Sequence, residues 1–336
     1  MEKQTVTIYD VAREAGVSMA TVSRVVNGNT NVKPSTREKV MKVIEALDYR
    51  PNAVARGLAS KRTTTVGVII PDITNLFFSS LAQGIDDIAK MYKYNIILTN
   101  AEEGQEENAL SSVLARQVDG IVYMGHSLPE NIRKELKRSR IPVVLAAMND
   151  SKEEFSSVNI DYETAIYEVT QRLIKSGRQH VAFVAQEDYL GDNQPSRLNG
   201  YKRAIKVSDL PVEEDLIFGL NQGKYKNAYD FAEKLKNSRA DAAVIINDEI
   251  AAGILNYLQD EGVNVPEDFS LVSSNDSAVV EMVRPRLTSI CPPLYDIGAV
   301  AMRILTKMMD KDDDDEIDKV VTLPYKISER QSTRDI

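Results

Sequence analysis

Apolar residues recur along this chain in two regimes, and the change falls just after residue 62. In the first regime the spacing is helical. Within Ser18-Met19-Ala20-Thr21-Val22-Ser23-Arg24-Val25-Val26-Asn27, the residues Val22, Val25 and Val26 stand at i, i+3 and i+4, which predicts a short helix with one inward stripe. Ser18 is placed to cap it. Met19, Ala20, Ser23, Arg24 and Asn27 are left on the outer face, with no acidic residue among them. A preceding helix is predicted over Ile8–Ala15, with Thr7 and Asp10 as a capping-box variant and Val11, Ala12 and Ala15 inward. Ala15-Gly16-Val17-Ser18 joins the two as a tight turn whose Gly suits positive φ. A third helix follows, in which Ser35-Thr36-Arg37-Glu38 reads as a capping box and Val40, Val43, Ile44 and Leu47 as the stripe that closes a small core. Arg37, Lys39 and Lys42 lie on its outer side, within reach of phosphates or simply solvated.

Helix, Gly turn and a second helix with a small polar face make the helix-turn-helix arrangement, whose second helix enters the DNA major groove. An ordinary helical hairpin satisfies the same spacing, so this segment alone leaves both readings open. Next comes Tyr49-Arg50-Pro51-Asn52-Ala53-Val54-Ala55-Arg56-Gly57-Leu58-Ala59-Ser60-Lys61-Arg62. Asn52 can cap a helix here of only about seven residues, short of the ~12–15 an isolated helix needs. Gly57 weakens it by up to ~1 kcal/mol. Such a helix is expected only when something holds it. Leu58 between small residues and Arg56 suits minor-groove insertion, and a plain interdomain linker is the other reading.

The second regime alternates apolar runs with amphipathic stretches. Strands are predicted over 66–71, 95–99, 120–124, 142–146, 181–185, 242–246 and 270–273, and helices over 76–92, 162–176, 197–207, 227–236 and 249–261. A further strand (287–291), a helix (295–309) and a last strand (320–327) follow. Buried strands alternating with helices predict a parallel sheet covered on both faces. One series ends near Asp161 and a second begins there, which predicts an α/β body of two doubly wound lobes. A ligand cleft is expected between them, at the carboxyl ends of the strands.

Composition narrows the function. At 336 residues the chain suits two or three domains. Residues 1–62 hold eleven Lys and Arg against six Asp and Glu, a balance of +5, whereas the whole chain is −9, which leaves −14 for the rest. A basic head on an acidic body predicts that the head alone meets a polyanion. Single Cys291 excludes an internal disulfide and suits a reducing, cytoplasmic compartment. No apolar run approaches the roughly 18 residues needed to span a bilayer, and the polar N-terminus carries no secretory signal. His126 and His180 have no Cys partners at ligand spacing, so no metal site is expected. There is no G-x-G-x-x-G, no P-loop, no G-x-S-x-G and no paired His and carboxylate, which argues against an enzyme.

Thr7-Ile-Tyr-Asp-Val-Ala12, Gly16-Val-Ser18, Thr21-Val-Ser-Arg-Val-Val-Asn27 and Tyr49-Arg-Pro-Asn52 with Leu58 closely resemble the headpiece and hinge of LacI/GalR-type repressors. The resemblance extends over essentially the whole chain. It implies an all-α helix-turn-helix headpiece (1–50), a hinge helix (51–62) and a periplasmic-binding-protein-like body. In that body 63–161 with 288–321 form the first lobe and 162–287 with 322–336 the second, so the chain crosses three times. It also implies a homodimer on a pseudo-palindromic operator. Thr7, Ser18, Met19, Ala20, Thr21, Ser23, Arg24 and Asn27 would serve the major groove, and Asn52, Val54, Ala55, Arg56 and Leu58 the minor groove, with Leu58 as wedge.

The resemblance further marks Phe77, Arg197, Asp248 and Asn275 as effector-cleft positions, for sugars or sugar phosphates. Here Ser273-Ser274-Asn275 stands where the family usually has Gly-Phe-Asp. An amide offers one acceptor and a donor group where a carboxylate accepts two sugar hydroxyls, so tight sugar binding is not expected. Asp276 is near enough to substitute but should point differently. The other reading is that Arg197 and Asp248 simply bridge the lobes. In the last predicted helix, Ile297, Ala301, Ile304, Leu305 and Met308 form the core stripe, while Arg303 and Lys307 stand one turn apart on another face. Spacing alone admits two readings, a pair able to grip a phosphate and, the more ordinary one, cations favoured near a helix C-terminus. Resemblance adds more. Tyr295-Asp296-Ile-Gly-Ala-Val-Ala-Met-Arg303, Met19-Ala20-Thr21 and Met91-Tyr-Lys-Tyr-Asn-Ile-Ile97 resemble the carbon-catabolite-control members of the family in Gram-positive bacteria. That implies serine-phosphorylated HPr as corepressor, with phosphorylated Crh as a second partner. Tyr295, Asp296, Arg303 and Lys307 would be its contacts. A paralogue controlled by a sugar or sugar phosphate in the cleft, and a sugar receptor without DNA function, are the alternatives.

Overall fold

The computed structural model describes residues 6–50, 62–102, 104–150, 152–190, 196–310 and 318–334. The chain divides into two compact units, Met1–Thr63 and Thr64–Ile336. The described residues of the first unit form three helices: α1 (Ile8–Ala15), α2 (Met19–Val26) and α3 (Pro34–Ala46). The Thr7 backbone N–H and hydroxyl both donate to the Asp10 carboxylate, at 2.9 and 2.7 Å. These hydrogen bonds, helped by Arg13, hold the Asp10 carboxyl below its ordinary range. Gly16 ends α1 at φ 60° and ψ 38°, the left-handed region where a side chain would be strained. Val11, Ala15, Val22, Val25 and Val40 are buried together, with Val43, Ile44 and Leu47 packed against them. One expected detail differs. α3 starts at Pro34 with Lys33 at its cap, so Ser35 makes no capping box. Proline presets the first helical φ and needs no hydrogen bond there.

The second unit holds two six-stranded sheets. Its strands are β1 (Thr65–Ile70), β2 (Asn95–Asn100), β3 (Gly120–Tyr123), β4 (Val143–Ala146), β5 (Ser156–Ile160), β6 (Val181–Gln186), β7 (Ile217–Leu220), β8 (Ala242–Ile245), β9 (Ser270–Ser273), β10 (Thr288–Cys291), β11 (Val320–Leu323) and β12 (Lys326–Ser328). The first sheet is ordered β11-β5-β4-β3-β1-β2 and the second β12-β10-β9-β8-β6-β7. All pairings are parallel except β10 with β12. The helices are α4 (Leu76–Met91), α5 (Glu106–Leu114), α6 (Glu130–Ser139), α7 (Tyr162–Lys175), α8 (Ser196–Val207), α9 (Tyr225–Lys236), α10 (Asp248–Asp260), α11 (Val279–Met282) and α12 (Leu294–Met309). α4 and α12 cover one face of the first sheet, α5 and α6 the other. On the second sheet α7 and α8 lie opposite α9 and α10.

Two differences from the sequence reading concern the lobes. Thr288–Cys291 was expected in the first lobe. It lies in the second sheet, with Thr288 and Ser289 in register with Val272 and Ser273, and the chain crosses only after Cys291. The last strand, expected as one piece over 320–327, is divided into β11 in the first sheet and β12 in the second. An apolar run reads the same whichever sheet it joins, so pairing decided both. β5 escaped the apolar pattern because Ser156, Ser157 and Asn159 are buried polar residues in it.

A buried ion pair fastens α6 to the chain after β4. Arg133 Nη2 lies 2.7 Å from Asp150 Oδ1, whose side chain is 1% exposed. Asp150 also accepts from the backbone N–H groups of Lys152, Glu154 and Phe155. Burial by itself would raise the Asp150 carboxyl, but these donors outweigh it and bring it down to about 2. A depressed carboxylate stabilises the fold above the unfolded value and loses that stabilisation as pH falls through the folded one. Asp150→Asn should therefore cost roughly 3 kcal/mol at neutral pH, as for a broken buried pair. The difference from wild type in urea unfolding should shrink between pH 4 and 2.

Candidate nucleic-acid interface and control surfaces

α2 begins on the Ser18 hydroxyl, which accepts from the Thr21 backbone N–H at 3.2 Å and lies 2.9 Å from its Oγ1. Val22 and Val25 fix which way the helix faces, because both are buried against α1 and α3. Met19, Ala20, Arg24 and Asn27 are thereby exposed, and Ser23 and Thr21 are half-buried. No described residue pairs with the Arg24 guanidinium. Asn27 Nδ2 donates to Ser23 Oγ at 3.3 Å. Of the expected reading residues, Thr7, Ser18 and Thr21 serve as capping groups, so Met19, Ala20 and Arg24 are the side chains the helix presents outward. Arg37 is not available as an outward cation, because its guanidinium donates to the Asn29 carbonyl and holds the turn before α3. Asn52, Val54, Ala55, Arg56 and Leu58 lie outside the described residues.

Between the lobes of the body is a cleft of about 570 Å³ at the carboxyl ends of strands from both sheets. Asp72, Asn75, Glu102, Glu106, His126, Gln186, Lys224 and Asn247 are among its lining residues. Two contacts cross it. Lys224 donates to the Asp72 carboxylate and lies 3.3 Å from Thr74 Oγ1, and His126 Nδ1 lies 2.9 Å from the Tyr189 hydroxyl. Burial pushes the Asp72 carboxyl up, but the hydrogen bonds from Lys224 and Thr74 prevail and leave it lowered. Sequence reasoning missed these pins, whose members stand 152 and 63 residues apart with no local signal.

The expected effector residues do not line that cleft. Phe77, Asp248 and Asn275 surround a separate void of about 10 Å³, room for roughly one water. Asp248 is buried, which raises its carboxyl, and it accepts from Ser273 Oγ and the backbone N–H groups of Asn275 and Ser277. Arg197 is buried with its Cζ 3.4 Å over the Tyr162 ring, and its Nη1 donates to Ser274 Oγ at 3.3 Å. These hydrogen-bond and ring partners all belong to the second lobe, while Asp248 also lines the small void shared with Phe77 of the first. Among the described residues Asn275 Oδ1 has no hydrogen-bond partner. Asp276 is turned to Arg330, 2.8 Å away.

The control helix is α12. Ile297, Ala301, Ile304 and Leu305 are buried, and Tyr295, Asp296, Arg303 and Lys307 are exposed. Tyr295 donates to Asp87 Oδ2 of α4 at 3.1 Å, which raises the phenol. No described residue pairs with the Arg303 guanidinium. An exposed Arg beside a tyrosine and flanking Lys307 is suited to receive a phosphate.

Residues 7–52 match the bacterial regulatory proteins of the lacI family, and 170–333 match a periplasmic binding protein-like domain. Catabolite control protein A of Streptococcus mutans is 53% identical over 98% of this chain and 98% of that one. The structure of the transcription regulator CcpA of Lactococcus lactis is 44% identical, with a TM-score of 0.76 over 81% of this chain and 100% of that one. The lac repressor dimer bound to operator is 23% identical and has a TM-score of 0.86 over 98% and 99%. Among the described residues no helix is long and apolar enough to cross a membrane.

Because Ser18 anchors the first turn of the outward helix, Ser18→Ala should destabilise the headpiece by about 1 kcal/mol. Amide exchange in residues 19–26 should quicken accordingly, with the body unaffected.

Proposed function

The chain belongs to the lacI family of bacterial regulatory proteins, and from that membership we propose a homodimer that grips a pseudo-palindromic operator when serine-phosphorylated HPr is bound. Its relatives make it a DNA-binding transcriptional regulator of catabolite control, not an enzyme. On the operator, α2 of each copy enters the major groove with Met19, Ala20 and Arg24 outward. Asn52, Val54, Ala55, Arg56 and Leu58 form a hinge helix in the minor groove, with Leu58 the apolar wedge. Operator binding by a dimer is what the lac repressor structure depicts for that protein.

The observation that carries the corepressor reading is Arg303. Its guanidinium is exposed and unpaired among the described residues, on the outer face of α12, within a body of net charge −14 (−9 overall less +5 in residues 1–62). A phosphoserine brings about −1.5 to −2 charges, which such a guanidinium selects against neutral serine. Tyr295, Asp296 and Lys307 would complete the contact. Phospho-HPr then turns the first lobe against the second. The turn brings the two hinge segments together, where they fold as paired helices on DNA. The hinge helix, formed only in the bound state, supplies the differential free energy that any such shift requires. Phosphorylated Crh would use the same face.

The interlobe cleft favours a second reading, in which a sugar or sugar phosphate controls the protein. Its volume of about 570 Å³ suits a small ligand, although Asp72, Glu102 and Glu106 in its wall oppose a phosphate. Titrating operator binding with phospho-HPr and with candidate sugars separates the two readings.

Arg303→Ala should weaken phospho-HPr binding by about tenfold or more, the loss expected for a charge-assisted hydrogen bond, and should abolish most of the corepressor's effect on operator affinity. Full enhancement in that variant would sink the assignment. Leu58→Ala should weaken operator binding by roughly tenfold while sedimentation still reports a dimer.

A further inference from the structure

The contact between α4 and α12 is closer than ordinary helix packing allows. A Cβ on Gly84 would fall 2.1 Å from the Tyr295 carbonyl oxygen, and one on Gly298 would fall 2.1 Å from the Leu81 carbonyl oxygen. Each helix thus places a glycine against the backbone of the other. Leu81 faces Gly298, Gly84 faces Tyr295 and Ala299, and Asp87 accepts from Tyr295; both helices end beside the strand starts of the first sheet, α4 before Asn95 and α12 with Met309 against Gly120, so they run in the same sense. Phe78, Leu81 and Ile85 of α4 and Ile297, Ala301 and Leu305 of α12 are buried in the same cluster. Interiors packed this tightly shift as blocks rather than deform.

The N-terminal end of α4 reaches the other lobe. Asn75 caps the helix by accepting from the Phe77 N–H at 2.9 Å. Phe77 is buried, stacked edge-on against Phe78 with ring centroids 5.0 Å apart. Asn75, Leu76 and Phe77 share the small void with Asn247, Asp248 and Asn275 of the second lobe. Asn247 is itself the cap of α10. So one end of the α4–α12 pair abuts the start of a second-lobe helix, while its outer face carries Arg303.

We propose that α4 and α12 form one lever, locked by the reciprocal glycine crossing, and that Phe77 at its end passes a load on the Arg303 face to the second lobe through the Asn247–Asp248 corner. Gly84, Gly298 and Phe77 are positioning residues in this scheme, since none needs to touch corepressor or DNA. The inference rests on the corepressor reading above and adds the route by which that face reaches the lobe junction. It also gives Phe77 a part that needs no small ligand.

The test uses the full chain, with phospho-HPr as the probe. Its affinity is measured by anisotropy without DNA, and operator affinity is measured with and without saturating phospho-HPr. Phe77→Leu keeps the site apolar. It should leave phospho-HPr affinity within about twofold and reduce the operator enhancement at least fivefold, within the usual 5–150-fold range of coupling. Unchanged enhancement overturns the lever, and so does an equal loss in both measurements, which would make Phe77 part of the docking face. Gly298→Ala should weaken phospho-HPr binding itself by tilting α12, and wild-type binding there overturns the locked crossing. Should that variant not fold, as its melting curve would report, amide exchange in the wild type decides the same point. Phospho-HPr should change protection at 75–78 and 247–250, and no change there refutes the lever. If wild type shows no enhancement at all, the corepressor reading fails instead.

Discussion

A parallel sheet must be covered on both faces, because its strands are apolar on both. Much of this molecule follows from that requirement. Four helices are needed for the first sheet, and the first stretch of the body supplies only α4, α5 and α6. The fourth, α12, comes from far down the chain, after the second sheet is nearly complete. The chain therefore passes between the lobes after β5, after β10 and after β11. Three strands of backbone thus join the two lobes. The helix that fills the gap is also the one that bears Arg303.

Close packing then sets what can move. The glycine crossing brings α4 and α12 to backbone contact, whereas the cleft is spanned by single side-chain contacts, Lys224 to Asp72 and His126 to Tyr189. The half-exposed Lys224–Asp72 pair contributes little, whereas Tyr189 is buried in the main hydrophobic cluster. The deeper fastening of α6 by Arg133 and Asp150 lies within one lobe.

Charge divides along the same seam. The basic head suits a polyanion, and the acidic body repels one. Within that body α12 displays Arg303, an exposed guanidinium without a carboxylate among the described residues. The buried Arg197 is different in kind, since Tyr162 and Ser274 already occupy it.

Local pattern settled whatever depends on neighbours in the chain. The three-helix head was legible because Val11, Val22, Val25 and Val40 recur at helical spacing, and the alternation of apolar runs with amphipathic helices announced two α/β lobes. The face of α2 was legible too, since burying Val22 and Val25 leaves only one side outward. What sequence could not settle was which elements pair across distance. Thr288–Cys291 and Val320–Leu323 read as equivalent apolar strands, and only hydrogen-bond register assigned them to different sheets. Phe77, Asp248 and Asn275, without Arg197, line a space that tertiary packing closed to about 10 Å³, while the larger cleft opened elsewhere. Gly84 and Gly298 carried no sequence signal, because a glycine within a helix reads as a weakness until the facing backbone shows why no Cβ fits. Periodicity is a property of one segment, whereas a void, a register or a backbone contact belongs to two segments that the chain keeps far apart.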